Sequence, residues 1–456
     1  MLHNAEECLG RATALFEKEF GPLAGPGNRR AEKFFVPGRI EVLGKHTDYA
    51  GGRSLLAAME RGVAVVSALN GTDEVRLANA DPQFPKAAFP LSPDWPIPIG
   101  PWTNYPMTVA RRLLRNFGSE KRLRGVDAAF ASTLPPASGM SSSSAIMVAS
   151  FFALAGPNQV LELPKFKASI QTAEDLATYL ACHENGRSFS DLEGDCGVGT
   201  FGGSEDHTAM LCCQPGRLSV CSFCPTRIER AVAFPEELVF CVCHSGVQAE
   251  KTGEALGKYN AVSARARQAC SLYNAHYQTR HETLAGIVRD NARLERQALL
   301  GKFAQIPRAN DPAGRWLERF QQFVTESEYL VPRAAEALAS SDLAEFGRLV
   351  DQSHANSRTL LGNIISEIDW LQQSARQLGA MAASGFGAGF GGSVYAIVRA
   401  AEAAPFQRRW EKAYLKAFPQ YRNRALWLTT RPAGAARRLE SWLQPRFGQL
   451  PRRRSP

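Results

Sequence analysis

Residues 37–52 read Pro37-Gly38-Arg39-Ile40-Glu41-Val42-Leu43-Gly44-Lys45-His46-Thr47-Asp48-Tyr49-Ala50-Gly51-Gly52. An extended run over 34–43, interrupted at Pro37-Gly38, ends in a dense polar cluster closed by glycines. Asp48 can accept two hydroxyl hydrogens, and Arg39 can stabilise developing negative charge. Any one of these residues alone reads equally well as part of a salt-bridged turn.

Two further segments share this small, polar character. Residues 134–146 read Leu134-Pro135-Pro136-Ala137-Ser138-Gly139-Met140-Ser141-Ser142-Ser143-Ser144-Ala145-Ile146 and lead from a strand candidate (128–132) into a helix candidate (144–154). A helix N-terminus offers unpaired N–H groups and a positive dipole to phosphate, and small residues let the backbone approach the anion. The segment lacks the Gly-Lys-Ser/Thr ending of a Walker A loop, which argues against a P-loop ATPase. Residues 384–393 read Ser384-Gly385-Phe386-Gly387-Ala388-Gly389-Phe390-Gly391-Gly392-Ser393 and enter a strand candidate, 392–398. So many glycines imply a backbone pressed against something, or a plain turn.

Outward from these segments the text mixes strands and helices. Strands are expected at 62–69, 75–78, 218–224, 238–242 and 424–428. Helices are expected at 1–20, 106–117, 170–182, 260–279, 294–304, 316–328 and 331–338, the last continuing past Asp342. The stretch 188–203 is rich in Ser, Asp and Gly and reads as loop. The fold class is α+β with mixed β-sheets and helices, and not the steady alternation of a doubly wound sheet. A lobe boundary is expected in 222–230, giving an N-terminal lobe over 1–225, a C-terminal lobe over 226–440 and a basic tail over 441–456.

The 456 residues carry a formal net charge of +9, with 45% hydrophobic and 21% charged residues. Much of the excess sits in the C-terminal stretch, which holds Arg437, Arg438, Arg446, Arg452, Arg453 and Arg454 against Glu440. A solvated tail is the simpler account, so nucleic acid is not the expected partner. No secretory h-region and no apolar run of membrane-spanning length are present, so a cytoplasmic protein is expected. All cysteines except Cys8 lie between Cys182 and Cys270. Free thiols are the default here; Cys221 and Cys224 form a CxxC, but no second such pair supports zinc, and Cys241-Val242-Cys243 reads as strand filler.

Together the three segments resemble the GHMP kinase family, and the first two its galactokinase branch. The family signature is close to G-R-V-N-L-I-G-E-H-T-D-Y-N-G-G, and this chain has GRIEVLGKHTDYAGG; PASGMSSSSA and AGFGGS match the other two family motifs in order and spacing. The resemblance implies a two-lobed fold with its active site in the cleft between lobes. It implies ATP and Mg²⁺ as cofactors, a small-molecule sugar as substrate, a sugar 1-phosphate as product and a monomer; the lack of a long apolar run adds that no membrane is expected as a partner.

Residue by residue, Ser138, Gly139, Met140, Ser141, Ser142, Ser143 and Ser144 match the loop around the ATP phosphates, and Trp102 the aromatic near the nucleotide base. Arg39 matches the arginine near the transferred phosphoryl group. Gly203-Ser204-Glu205-Asp206-His207 is the best match to the family's G-I-M-D-Q, which makes Asp206 the candidate catalytic aspartate, either taking the proton of the sugar hydroxyl or, with Arg39, orienting and polarising it; without the resemblance it would read as a helix cap. Ser143 and Glu184 match the Mg²⁺ ligands. Asp48, His46, Lys45, Gly203 and, more loosely, Tyr259 match the sugar pocket.

Four departures stand beside this match. Lys45 replaces the family's Glu, Glu41 its Asn and His207 its Gln, and a longer acidic loop separates Glu184 from Gly203. Lys45 could pair with a sugar carboxylate, as in a uronic acid, or could pair with Glu41 or Glu205 and face away. A catalytically silent sensor of ATP and sugar, or a kinase for another small molecule, are the alternative functions.

Overall fold

β1 (Glu32–Leu43) and β2 (Arg53–Leu69) form an antiparallel pair whose alternation assigns each face to a different helical layer. Val63 and Val65 of β2 enter the main core, while Ala64 and Val66 face the opposite way. That second face is covered by α1 (Leu2–Phe20), whose Cys8, Ala12 and Phe16 recur every four residues and are fully buried. Small residues beneath the helix, Ala64, Ala129 and Ala131, let it lie close; burying Phe16 contributes about 1.5–3 kcal/mol. The structure is a computed structural model, describing residues 2–23, 30–97, 100–248, 253–307 and 315–438.

The first sheet continues with β3 (Glu74–Asn79), β4 (Ala87–Pro90), β5 (Val126–Ser132), β6 (Arg217–Ser222) and β7 (Arg227–Ala233). Its main path pairs β12 (Arg437–Arg438), β1, β2, β5, β3 and β4 in that order; β6 also pairs β2, and β7 pairs β6. Among the described residues only the β3–β5 pair of this sheet runs parallel. Its inner face carries α2 (Asn104–Phe117), α3 (Ser142–Ala155), α4 (Pro164–Ser169), α5 (Ala173–Asn185) and α6 (Glu205–Cys212).

The second sheet is antiparallel throughout, in the order β11 (Leu426–Thr430), β8 (Leu238–His244), β10 (Ser393–Arg399), β9 (Ala382–Phe386). Phe240 and Val242 point into the main core. Cys241 and Cys243 point the other way, against α13 (Ser366–Gln377) and α14 (Ala403–Ala417), where Leu371 and Trp410 cover them. The two cysteines are packing residues, as strand alternation suggests.

α7 (Gly253–Tyr277), α8 (Leu284–Asp290), α9 (Arg296–Ala304) and α10 (Arg315–Thr325) build a satellite core around Tyr273, Phe303 and Phe320. It rests on Ala50, next to the glycines that close the first motif. A π-helical turn, Glu326–Leu330, joins α10 to α11 (Val331–Ala339). The helix expected to run past Asp342 stops instead at Ser340: Ser341 has φ 62°, and Asp342 caps α12 (Leu343–Asn356) by accepting from the Glu345 N–H at 3.0 Å.

The expected division after residue 225 falls in the turn of the β6–β7 hairpin. The short turn keeps the two strands antiparallel neighbours, so β7 stays in the first sheet, and β12 returns to the same sheet from the far end of the chain. The 441–456 tail lies outside the described residues.

Candidate active site

The Pro37-Gly38 break decides where Arg39 points. The register between β1 and β2 slips between Pro37 and Arg39, and beyond the slip the Arg39 N–H donates to the Met140 carbonyl at 3.3 Å. The guanidinium is buried and joins two loops: Nε donates to Asp206 Oδ1 at 2.7 Å and Nη1 to the Gly139 carbonyl at 2.6 Å. Burial alone would lower its pKa, but the charges of Asp206, Glu205 and Glu41 overcome that and hold it firmly protonated.

On one side of Arg39 lies a cavity of about 490 Å³. One part of its wall is the segment entering α3, where Ala137, Gly139 and Ser141 all have positive φ (49°, 78° and 58°). Alternation of this kind turns successive N–H groups to one side, and non-glycine residues held there concentrate strain at a functional loop. No side chain caps α3, so its first N–H groups are left to an anion. Gly387 has φ 86°, and a Cβ there would stand 2.7 Å from the Gly139 carbonyl oxygen, so the third motif is pressed against the second. Arg11, Phe84, Trp102 and Tyr105 line another part of the wall. The indole N–H of Trp102 donates to the Pro85 carbonyl at 3.0 Å, which fixes the ring.

On the other side of Arg39 is a smaller, polar cavity. Arg39, His46, Asp48, Glu184, Gly203, Asp206 and Tyr259, expected from four separate stretches of chain, all line it. Arg39 and Ala388 border both cavities. Asp206 sits in the first turn of α6, yet its carboxylate accepts from Arg39 and from Ser144 Oγ at 3.2 Å instead of capping the helix. Asp48 Oδ2 accepts from the Glu205 N–H at 3.3 Å, and a Cβ on Gly203 would stand 2.6 Å from that oxygen. His46 Nε2 lies 3.0 Å from the Ala388 carbonyl oxygen and Nδ1 3.0 Å from the Tyr49 hydroxyl, tying the first motif to the third.

Burial dominates the electrostatics. It lowers His46 to about 4, so the ring is neutral, and raises Asp48 to about 6 with help from the Asp206 charge. Glu205, buried beside Glu41 and Asp48, is pushed well above the ordinary carboxylate range. Glu184 stands near the end of α5, which Gly186 terminates in the left-handed conformation. Its Oε1 is buried without a hydrogen bond, 3.5 Å from His207 Nε2.

Not every expected residue lines a cavity. Gly139, Ser141, Ser142, Ser143 and Trp102 line the larger one. Ser138 and Met140 turn inward, Ser138 Oγ donating to the Pro135 carbonyl at 2.8 Å, and Ser144 serves Asp206. Lys45 faces away from the smaller cavity: it is 1% exposed, and its Nζ lies 3.1 Å from Glu41 Oε1 and 3.3 Å from the Glu41 carbonyl oxygen. The physical reason is the hold on its backbone. Glu326, from the π-helical turn, accepts from the Gly44 N–H at 2.8 Å, and Gln322 Nε2 donates to the Lys45 carbonyl at 2.9 Å. Ser143 borders one cavity and Glu184 the other.

Sequence reading named Glu41 only as a departure in or beside the sugar pocket, and it missed Glu205 and Tyr49 in the smaller cavity and Arg11 in the larger. Strand period 2 could have found Glu41, two residues from Arg39 and on the same face of β1. Nothing in the local text marks Arg11, which reaches the site only because α1 packs across the first sheet.

Comparison with known proteins bears on the same segments. Residues 14–68 match the galactokinase galactose-binding signature, 104–182 the GHMP kinases N terminal domain and 334–416 the GHMP kinases C terminal domain. A galactokinase of Roseiflexus sp. (strain RS-1) is 28% identical over 387 residues, covering 83% of this chain and 86% of the relative. A galactokinase of Glaesserella parasuis serovar 5 (strain SH0165) is 26% identical over 392 residues, covering 84% and 88%. The crystal structure of Lactococcus lactis galactokinase complexed with galactose superposes with a TM-score of 0.73 at 21% identity, over 94% of this chain and 100% of that one. No helix among the described residues is long and apolar enough to cross a membrane.

Proposed function

Since the chain belongs to the GHMP kinases and is galactokinase-like, we propose that it transfers the terminal phosphoryl group of Mg-ATP to the anomeric hydroxyl of a sugar. The observation that carries this reading is Arg39, buried at the junction of two cavities, with a carboxylate on one side and the glycine-serine loop on the other.

The larger cavity suits ATP, its phosphates against α3 and its base near Trp102. The smaller suits the sugar, whose hydroxyls meet Asp48, Tyr259 and the neutral His46. In the reaction the acceptor oxygen bonds to the γ-phosphorus, the β–γ bridging bond breaks, ADP leaves and the acceptor proton is lost. Asp206 orients that hydroxyl and accepts its proton, while Arg39 stays protonated and stabilises charge on the transferring group.

Ser143 and Glu184 fit Mg²⁺: both offer oxygen, and the Glu184 Oε1 has no hydrogen bond to give up. When bound, the metal neutralises phosphate charge. The ten free thiols suit a reducing compartment and support a cytoplasmic site of action.

The test is ADP release from Mg-ATP with galactose, arabinose, galacturonate, glucuronate and N-acetylgalactosamine, with Asp206→Ala as control. Turnover that depends on one sugar and is lost in the variant establishes the kinase. ADP release from none of them, alongside normal ATP binding, removes the reading.

A further inference from the structure

Glu41 and Lys45 are four residues apart, both buried, and aimed differently. Glu41 borders the smaller cavity from β1, on the same face as Arg39. Lys45 follows a second register slip, between Glu41 and Leu43, and its ammonium reaches back to Glu41 from outside the cavity lining. The chain thus shows the acceptor a carboxylate and hides the cation that steadies it.

The rest of the lining deepens the bias. Asp48, Glu184, Glu205 and Asp206 also face the cavity, while its one guanidinium, Arg39, already bonds Asp206 and the Gly139 carbonyl. Oxygen acceptors of this kind match ligands that donate hydrogens. Among the described residues an entering carboxylate would find no free cation, and it would lie beside the acidic groups of Glu41 and Asp206, where a low local dielectric makes repulsion between like charges strong.

We propose that Glu41 is a specificity-determining residue that accepts a hydrogen bond from a hydroxyl of the acceptor, that the pocket refuses sugars bearing a carboxylate, and that Lys45 is a positioning residue for Glu41. This rests on the sugar-kinase reading of the same cavity and names the class of sugar it takes.

The experiment measures sugar binding by calorimetry and turnover by ADP release, using galactose, 6-deoxygalactose and galacturonate, on the full chain and on Glu41→Gln, Lys45→Met and Lys45→Arg. For the unaltered chain, binding and kcat/KM for galactose are expected to exceed those for galacturonate by about 100-fold. Glu41→Gln should raise the galactose KM about tenfold, leave the ATP KM unchanged and narrow the gap to galacturonate. Lys45→Met should raise the galactose KM as well, and Lys45→Arg should restore most of it. Galacturonate bound or used as well as galactose by the unaltered chain overturns the proposal, and needs no variant to fold. So does a Lys45→Met protein that loses only galacturonate. If no sugar is turned over, the kinase reading fails on its own, and calorimetry still decides: galactose bound without galacturonate supports the pocket assignment, and any other binding result overturns it.

Discussion

Arg39 Nε and Asp206 Oδ1 stand 2.7 Å apart although 167 residues separate them in the chain. The contact joins a strand that has just slipped register to the first turn of a short helix, at the border of the two cavities. Each group holds the other in place; both line the smaller cavity, and Arg39 borders the larger as well.

Asp206→Asn keeps the shape and can keep the contact with Ser144, but removes the charge. Its kcat is expected to fall about 100-fold or more, with the ATP KM within a few-fold of the unaltered value. Steady-state kinetics with a coupled ADP assay decides; a loss under tenfold would limit Asp206 to orienting the acceptor.

Two buried groups give opposite pH dependences of stability. The folded state keeps a proton on Asp48 up to about pH 6, where the unfolded chain has already lost it, so this group's contribution falls as pH rises from about 4 to about 6. His46 refuses a proton down to about pH 4, so its contribution rises with pH between about 4 and 6.5. In the natural protein the two offset. Asp48→Asn removes only the first, worth up to about 3 kcal/mol, and should raise Tm more at pH 7.5 than at pH 4.5. Equal shifts at both pH values, measured by thermal denaturation, would contradict the buried-carboxyl account.

Arg11 lines the larger cavity from α1, with Nη1 3.3 Å from the Ser132 carbonyl oxygen. Arg11→Ala should raise the ATP KM several-fold and leave the sugar KM unchanged, because the residue does not border the smaller cavity. Trp102→Ala should weaken ATP binding by roughly 1–3 kcal/mol if the indole stacks on the base, while Trp102→Phe should retain most of it. Calorimetric titration with ATP distinguishes the two.

Gly387→Ala would place a Cβ 2.7 Å from the Gly139 carbonyl oxygen at a backbone φ of 86°. Loss of about 1–3 kcal/mol of stability is expected, together with weaker ATP binding, since the neighbouring loop must move. Unchanged Tm and ATP affinity would show that the two loops do not hold each other.

The sequence reading placed most of the elements and named most of the residues that it expected at the site and that line the two cavities. Helix and strand periodicity located α1, α3, α5 and β8, because hydrophobic patterning is local and each of these elements presents one face to the core. Among the elements it missed are α6, α13, α14 and β9: α6 is a short helix of 8 residues, and β9 carries Ala, Ser and Gly, whose burial comes from close sheet contact and not from apolar bulk.

What the sequence by itself determined is the chemistry carried by contiguous motifs: the loop into α3, the glycines that must meet another backbone, and the acidic and basic groups able to act on a hydroxyl and a phosphate. Tertiary structure alone decided orientation. It set Glu41 toward the smaller cavity and Lys45 away from it, because Glu326 and Gln322, from a distant helix, grip the turn that carries Lys45. It also brought Arg11 to the larger cavity and folded β7 and β12 back into the first sheet. Side-chain direction at a turn depends on which distant groups satisfy its backbone N–H and C=O, and no local pattern of residues encodes that.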